Sequence, residues 1–149
     1  MKVLLIIPAY NEQDNIERVI ATLKRDCPQY DYLIINDGSQ DDTENICRRK
    51  GYHFVSHPVN LGLAAAIQTG MLYAYEKGYD AAIQFDGDGQ HDPDYIDNMA
   101  AEMEKGYNIV IGSRFISQKK PISLRMFGSN LLQLAIKLTT GKTLKDPTS

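Results

Sequence analysis

Cysteine is scarce in this chain, and its scarcity removes two classes of protein. Cys27 and Cys47 are the only two in 149 residues. They are too few for a disulfide framework and lack the C-x-x-C spacing of a zinc or redox site, so both read as free thiols of a reducing compartment. Long apolar runs are missing as well. Nothing approaches the roughly 20 residues of a membrane span. The run at residues 3–7 stops at Pro8, short of the roughly 7 to 15 apolar residues of a signal peptide, so secretion is not expected. No G-x-G-x-x-G follows that run, which argues against a dinucleotide-binding oxidoreductase. A basic excess is absent too: 16 Lys+Arg face 19 Asp+Glu for a net charge of −3, which gives nucleic-acid binding no support.

What remains is an ordinary globular composition, 43% hydrophobic and 23% charged, of a length that suits one domain around one core. The charge is uneven along it. Residues 1–113 carry 9 Lys+Arg against 18 Asp+Glu, a balance of −9, whereas residues 114–149 carry 7 against 1, a balance of +6. A basic tail of this kind suits an anionic lipid or phosphate, or complements the acidic remainder, and charge alone does not choose.

Residues 3–7 form a Val, Leu and Ile run too continuous for a one-sided strand, which predicts a strand buried on both faces of a parallel sheet. Asn11, Glu12, Gln13 and Asp14 follow as an expected side-chain cap. Ile16, Val19, Ile20 and Leu23 then fall at helical spacing. The unit recurs, with strand 32–35, a polar turn at 36–42 and helix 43–50 stopped by Gly51. Residues 53–55 are a short third strand, 63–77 an alanine-rich helix closed by Gly78, and 81–85 a fourth strand. Asp92 and Pro93 read as a cap and first helical position for a helix whose buried stripe is Ile96, Met99, Ala100 and Met103, ending at Gly106. Residues 109–111 are the expected fifth strand. Alternating strands and helices with short connections imply a doubly wound α/β sheet, whose ligands bind beyond the carboxyl ends of its strands.

Those ends carry Pro8-Ala9-Tyr10-Asn11-Glu12, Asn36-Asp37-Gly38-Ser39, Asp86-Gly87-Asp88-Gly89-Gln90-His91 and Gly112-Ser113-Arg114. The third is the most informative. In extended chain residues i and i+2 point the same way, so Asp86 and Asp88 can converge on one hard cation, with Gln90 and His91 as further donors. Mg²⁺ or Mn²⁺ is the natural occupant, because two carboxylates repel a phosphate unless a divalent ion bridges them. An acidic turn with a helix cap is the plainer reading of the same residues.

Together these segments resemble glycosyltransferase family 2, the inverting nucleotide-sugar transferases of GT-A fold, over nearly the whole chain. Pro8 to Glu12 is similar to the family's P-x-Y-N-E. Asn36-Asp37-Gly38-Ser39 with Asp41 and Thr43 is similar to its D-D-G-S-x-D-x-T, with Asn36 standing where the family has its first aspartate. Asn60-x-Gly62 resembles its N-x-G helix entry, and residues 85–93 its D-x-D segment. Gly112-Ser113-Arg114 and Asp146-Pro147-Thr148-Ser149 further resemble the branch that glycosylates polyprenyl phosphates such as dolichyl or undecaprenyl phosphate.

The resemblance implies a Rossmann-like, mostly parallel sheet with helices on both faces. It implies one catalytic domain over 1–149, in which 1–113 bind nucleotide-sugar and metal and 114–149 begin an acceptor and membrane-interface region that stops early. In it Pro8, Tyr10, Glu12 and Asp37 bind the nucleoside, Asp86, Asp88 and Gln90 the metal, and Arg114 phosphate. Glu12 serves the nucleoside or the helix start. An amide at Asn36 still suits hydrogen bonding to a base or ribose. The reaction implied is in-line transfer of a hexose, with inversion, to a polyprenyl phosphate or a cell-envelope glycan. A phosphate acceptor, with a second pKa of about 6, needs no strong base. A hydroxyl acceptor does, and Asp146 is the candidate base or else an acceptor-loop anchor. Arg114 and Arg125 suit the phosphates, and Lys119 and Lys120 the steering of an anion. Residues 122–138 form a basic amphipathic stretch suited to a membrane surface, a core or a homodimer, so peripheral contact through 119–138 is expected. The location implied is cytoplasmic, at the inner face of the plasma membrane.

Two rival readings come from other classes. Residues 86–97 place oxygen donors at positions 1, 3, 5, 7, 9 and 12 of a calcium loop, but His91 stands where that loop needs glycine and a strand is expected before it. A haloacid-dehalogenase-type phosphohydrolase also has D-x-D after an apolar strand. It leaves the P-x-Y-N-E and D-G-S segments without a role.

Overall fold

Seven consecutive residues, Val3–Ala9, form the strand β1 at the centre of a four-stranded sheet. The computed structural model describes residues 1–86 and 94–111. The other elements, in chain order, are α1 (Ile16–Asp26), β2 (Asp31–Asn36), α2 (Thr43–Lys50), β3 (Phe54–Ser56), α3 (Leu63–Glu76), β4 (Ala81–Gln84) and α4 (Asp94–Glu104). The sheet order is β3-β2-β1-β4 and every pairing is parallel. The chain divides into two compact units, Met1–Asn108 and Ile109–Ser149, and all eight elements belong to the first.

Strand alternation explains why β1 is apolar at every position. Val3, Leu5, Ile7 and Ala9 pack with Ile16, Val19, Ile20 and Leu23 of α1, Ile46 and Cys47 of α2, and Ile96 and Ala100 of α4. Leu4 and Ile6 turn to the other face, where they meet Leu33, Ile35 and the α3 residues Ala66 and Ala74. The sheet is therefore covered on both faces, as the uninterrupted run requires. On the α3 side the approach is close enough to need glycine: a Cβ on Gly70 would lie 2.4 Å from Ile6 Cγ2.

Most element boundaries fall where expected. α2 occupies residues 43–50 as expected, and Gly51 closes it in the left-handed region at φ 64°. β3 sits one residue later than expected, α3 ends one residue sooner, and β1 and β2 run longer through Ala9 and Asn36. Pro8 lies inside β1. The carbonyl of Ile6 accepts from Phe85 N–H at 2.8 Å on the β4 side, so the Pro8 nitrogen faces that side too. Having no N–H, it cannot prolong the ladder there. β4 pairs only as far as Ile6↔Gln84, and the chain leaves the sheet at Asp86.

Two expectations are corrected. The cap at Asn11 to Asp14 does not form: α1 begins at Ile16 behind Asn15, with no side-chain cap hydrogen bond. The Glu12 carbonyl instead accepts from Asn15 N–H and Ile16 N–H, while the Asn11 and Gln13 side chains reach across to the β2–α2 turn. The fifth strand at 109–111 is not one either. Ile109 is 79% and Ile111 59% exposed. β-branched residues do not hold a strand without a ladder partner, and none pairs with them among the described residues. The Asp92-Pro93 cap and the 119–138 stretch lie outside the described residues. No described helix is long and apolar enough to cross a membrane.

Candidate functional site

Register brings the chemistry of four segments to one edge of the sheet. Ala9 pairs with Asn36 and Asn36 with Ser56, so β1, β2 and β3 end in one row. Two backbone bonds carry the ladder a step further, Asp37 N–H to the Ala9 carbonyl at 2.8 Å and His57 N–H to the Asn36 carbonyl at 2.9 Å. Tyr10, Asp37 and His57 thus leave the sheet side by side. Asp86 leaves it on the other flank of β1, after β4.

Asp37 is the most constrained of these groups. It is 4% exposed. Its Oδ1 accepts from Leu61 N–H at 2.9 Å and lies 2.7 Å from His57 Nδ1, and its Oδ2 accepts from Gly62 N–H at 2.8 Å. Burial would raise its pKa, but the donors Leu61, His57 and Gly62 outweigh that and hold the carboxyl below the ordinary aspartate value. Gly62 is the N-cap of α3, so the carboxylate at the end of β2 fixes the strap at residues 57–62 and the entry of α3 together. Gly38 makes room for this strap. It sits at φ 66°, and a Cβ there would lie 2.4 Å from the carbonyl carbon of Val59.

The rest of the β1–α1 loop is clamped to the β2–α2 turn by reciprocal bonds. Asn11, at φ 57°, receives Gln40 N–H on Oδ1 at 2.8 Å, and its own N–H goes to Ser39 Oγ at 3.0 Å. Glu12 N–H donates to Thr43 Oγ1 at 2.9 Å and Gln13 N–H to Asp41 Oδ2 at 3.1 Å. Asp41 also accepts from Thr43 N–H and its hydroxyl. Asp41 and Thr43, matched in the sequence to a motif without a role, are thereby the staples that hold the two loops. The Glu12 side chain accepts from Asn15 Nδ2 at 2.8 Å and so supports the start of α1.

Asn36 points away from Asp37. It is fully buried, and its Nδ2 donates to Glu44 Oε2 at 3.1 Å and Ser56 Oγ at 2.9 Å. The amide is spent inside the protein and is not presented to a base or ribose. An aspartate at 36 would set a second carboxylate against Glu44, which gives a local physical reason for the amide. An open cleft of about 510 Å³ lies on this α2 side, between the Gly38–Gln40 turn, Glu44 and the strap at 56–60. Neither Tyr10, Asp37 nor Asp86 lines it.

Of the residues singled out in the sequence, Pro8, Tyr10, Glu12, Asp37 and Asp86 share the carboxyl end of the sheet. Tyr10 is 42% exposed there, an aromatic face at the rim. The Asp86 carboxylate, half-buried, accepts from Gln84 Nε2 at 2.8 Å. Asp88, Gln90, Arg114 and Asp146 lie outside the described residues. Among the described residues no three His, Cys, Asp or Glu side chains gather around a metal-sized site. His57 and Thr69 were not read from the sequence. The available signal was positional: His57 directly follows β3 as Asp37 directly follows β2.

The family model of glycosyl transferase family 2 matches residues 4–146. The chain belongs to glycosyltransferase family 2. Curated relatives agree. The chain is 34% identical over 137 residues, 79% of its length and 54% of the relative's, to UDP-N-acetylglucosamine--dolichyl-phosphate N-acetylglucosaminyltransferase of Methanococcus voltae. It is 29% identical over 121 residues, 77% of its length and 46% of the relative's, to polyprenol monophosphomannose synthase of Mycolicibacterium smegmatis. The chain spans about half the length of the curated relatives it matches.

Among solved structures, glucosyl-3-phosphoglycerate synthase from Mycobacterium tuberculosis, in complex with UDP, superposes with a TM-score of 0.67 at 20% identity, over 99% of this chain and 54% of the other. The fold of this family 2 chain is therefore GT-A, as the sequence resemblance implied. Both rival readings fall with this membership. For the calcium loop the structure adds its own objection, since a strand, β4, leads into Asp86 where that loop needs a helix.

Proposed function

We propose that the chain forms the donor half of an inverting glycosyltransferase, which moves a hexose from a UDP- or GDP-sugar to a polyprenyl phosphate or a related envelope acceptor. The observation that carries this reading is the convergence of Pro8, Tyr10, Asp37 and Asp86 at the carboxyl end of one parallel sheet, where ligands of open α/β sheets bind. Similarity to transferases named for polyprenol, dolichyl-phosphate and undecaprenyl-phosphate supports the acceptor class.

In this reading the nucleoside lies across the end of β1, with Tyr10 offering its ring face and Asp37 accepting a hydrogen bond. Pro8 and Glu12 complete the wall. The hard-oxygen chemistry of Asp86, with Asp88 and Gln90 from the same segment, suits Mg²⁺ or Mn²⁺. Such an ion, when bound, offsets the negative charge of the pyrophosphate and of the leaving nucleoside diphosphate. Similarity to the same M. tuberculosis enzyme in complex with Mn²⁺ and UDP is in keeping with this, at a TM-score of 0.54 and 23% identity over 68% of this chain and 39% of the other.

Arg114 is assigned to phosphate and Asp146 to the acceptor side, as base or anchor. The acceptor oxygen forms its bond to the anomeric carbon as the bond to the pyrophosphate oxygen breaks on the opposite face, so configuration inverts. The basic stretch 119–138 is assigned to the membrane surface where a polyprenyl phosphate resides, on the cytoplasmic side where nucleotide-sugars are found.

The test is transfer itself. Full-length protein incubated with UDP- or GDP-hexoses, Mn²⁺ and a short-chain polyprenyl phosphate is expected to yield a lipid-linked sugar of inverted anomeric configuration and one nucleoside diphosphate per turnover. Retained configuration, or release of free sugar phosphate, would contradict the reading.

A further inference from the structure

The strap after β3 carries a chain of hydrogen bonds that the donor reading leaves unexplained. His57 Nδ1 lies 2.7 Å from Asp37 Oδ1, and His57 Nε2 lies 2.9 Å from Thr69 Oγ1 on α3. The imidazole side chain is 9% exposed, and its backbone is pinned by the bond from His57 N–H to the Asn36 carbonyl. An ionised aspartate only accepts, so Nδ1 carries the proton facing it. In the neutral ring Nε2 is then an acceptor, and the Thr69 hydroxyl donates to it. Each proton in the chain points toward Asp37.

The arrangement closes on itself. Thr69 belongs to α3, whose N-cap Gly62 also donates to Asp37 Oδ2. An ionised carboxylate has about four acceptor positions. Leu61 N–H and His57 occupy two on Oδ1 and Gly62 N–H one on Oδ2, so among the described residues one position on Oδ2 is left for a further donor.

We infer that His57 is a positioning residue for the donor site: locked in one tautomer by Thr69, it holds Asp37 charged and aimed so that its remaining acceptor position meets the nucleoside. This rests on the donor reading above and adds a residue to it that acts only through Asp37. Loss of a plain strut would weaken the whole domain. Loss of a positioning residue weakens recognition of the nucleoside and leaves the pyrophosphate end, which belongs to the Asp86 flank, untouched.

The test compares binding of UDP and GDP with binding of inorganic pyrophosphate, each with Mn²⁺, by calorimetry on the full chain. His57→Leu, which keeps bulk and loses both bonds, is expected to weaken nucleotide binding about tenfold or more, as fits a bond to a charged group, with pyrophosphate affinity unchanged. His57→Asn, whose amide N–H takes the place of Nδ1–H, is expected to restore most of the loss. Thr69→Val, nearly isosteric, is expected to weaken the nucleotide about threefold. Unchanged nucleotide affinity in His57→Leu, or equal loss of pyrophosphate, would overturn the inference while leaving the donor reading standing. If His57→Leu fails to fold, unchanged affinity in Thr69→Val overturns it. Absence of nucleotide binding in the unaltered chain overturns the donor reading itself.

Discussion

Asp37 gathers the strap and the α3 N-terminus on one buried carboxylate, and that carboxylate is proposed to meet the nucleoside as well. Its neighbours follow the same electrostatic logic. Asp41 is held below the ordinary value despite burial, by Thr43 and Gln13. Asp42 is lowered by Asn45 and Arg49, and Glu44 by Arg48 first and then by Ser56. A carboxyl whose folded pKa is depressed contributes stability that is present above its unfolded value, 3.8 for aspartate, and is lost as pH falls below that value through the folded one. The urea midpoint is therefore expected to be nearly flat from roughly pH 5 to 7 and to fall on acidification below about pH 4. A midpoint unchanged down to about pH 3 would contradict this. Asp37→Asn replaces an acceptor of three donors by a neutral amide and is expected to cost about 1.5 to 3 kcal/mol in urea denaturation at neutral pH, with a shallower acid limb.

Single glycines set the limits at the scale of elements. Gly70→Ala adds helix propensity of about 1 kcal/mol to α3. It also pushes a methyl to 2.4 Å from the Ile6 side chain, and overpacking of this kind costs about 1 to 3 kcal/mol. A net loss is expected, read as a lower thermal midpoint, because Ile6 is walled in on the central strand. Gly38→Ala combines a left-handed φ with a clash against the backbone at Val59, where no side chain can give way. It is expected to lose about 2 kcal/mol or more and to weaken nucleotide binding by shifting the strap. Legibility divides along the same line. The two-faced burial of β1 and the two ends of α2 are written locally, in a run of aliphatics and in Thr43 and Gly51. The failed cap at Asn11 to Asp14 is not. The Asn11 and Gln13 side chains accept from Gln40 N–H and Asp42 N–H, 29 positions away, and no local pattern announces that the β2–α2 turn will compete for them. The strand expected at 109–111 rested on β-branched residues alone, and among the described residues no partner pairs with them.

The whole molecule joins an acidic, sheet-forming part to a basic one, 114–149, and the family match, over residues 4–146, spans both. That the segments after β1, β2 and β4 come together at one edge of the sheet was legible because strand and turn alternate so regularly. That Asn36 turns toward Glu44 and Ser56 while Asp37 turns toward the strap was not, since it depends on strand parity at the last residue of β2. His57 was hard to read for a related reason: a lone histidine carries no signal but its position after a strand, and only the β2–β3 register sets it beside Asp37. The central claim, a donor site at this edge that works through a divalent ion, is tested most directly by calorimetric titration of UDP and GDP, with Mn²⁺ and with EDTA. The protein is compared with its Asp86→Asn, Asp88→Asn double variant. The unaltered protein is expected to bind one of the two nucleotides in a Mn²⁺-dependent manner, and the double variant to lose that dependence. Mn²⁺-dependent affinity that survives both substitutions would contradict the claim.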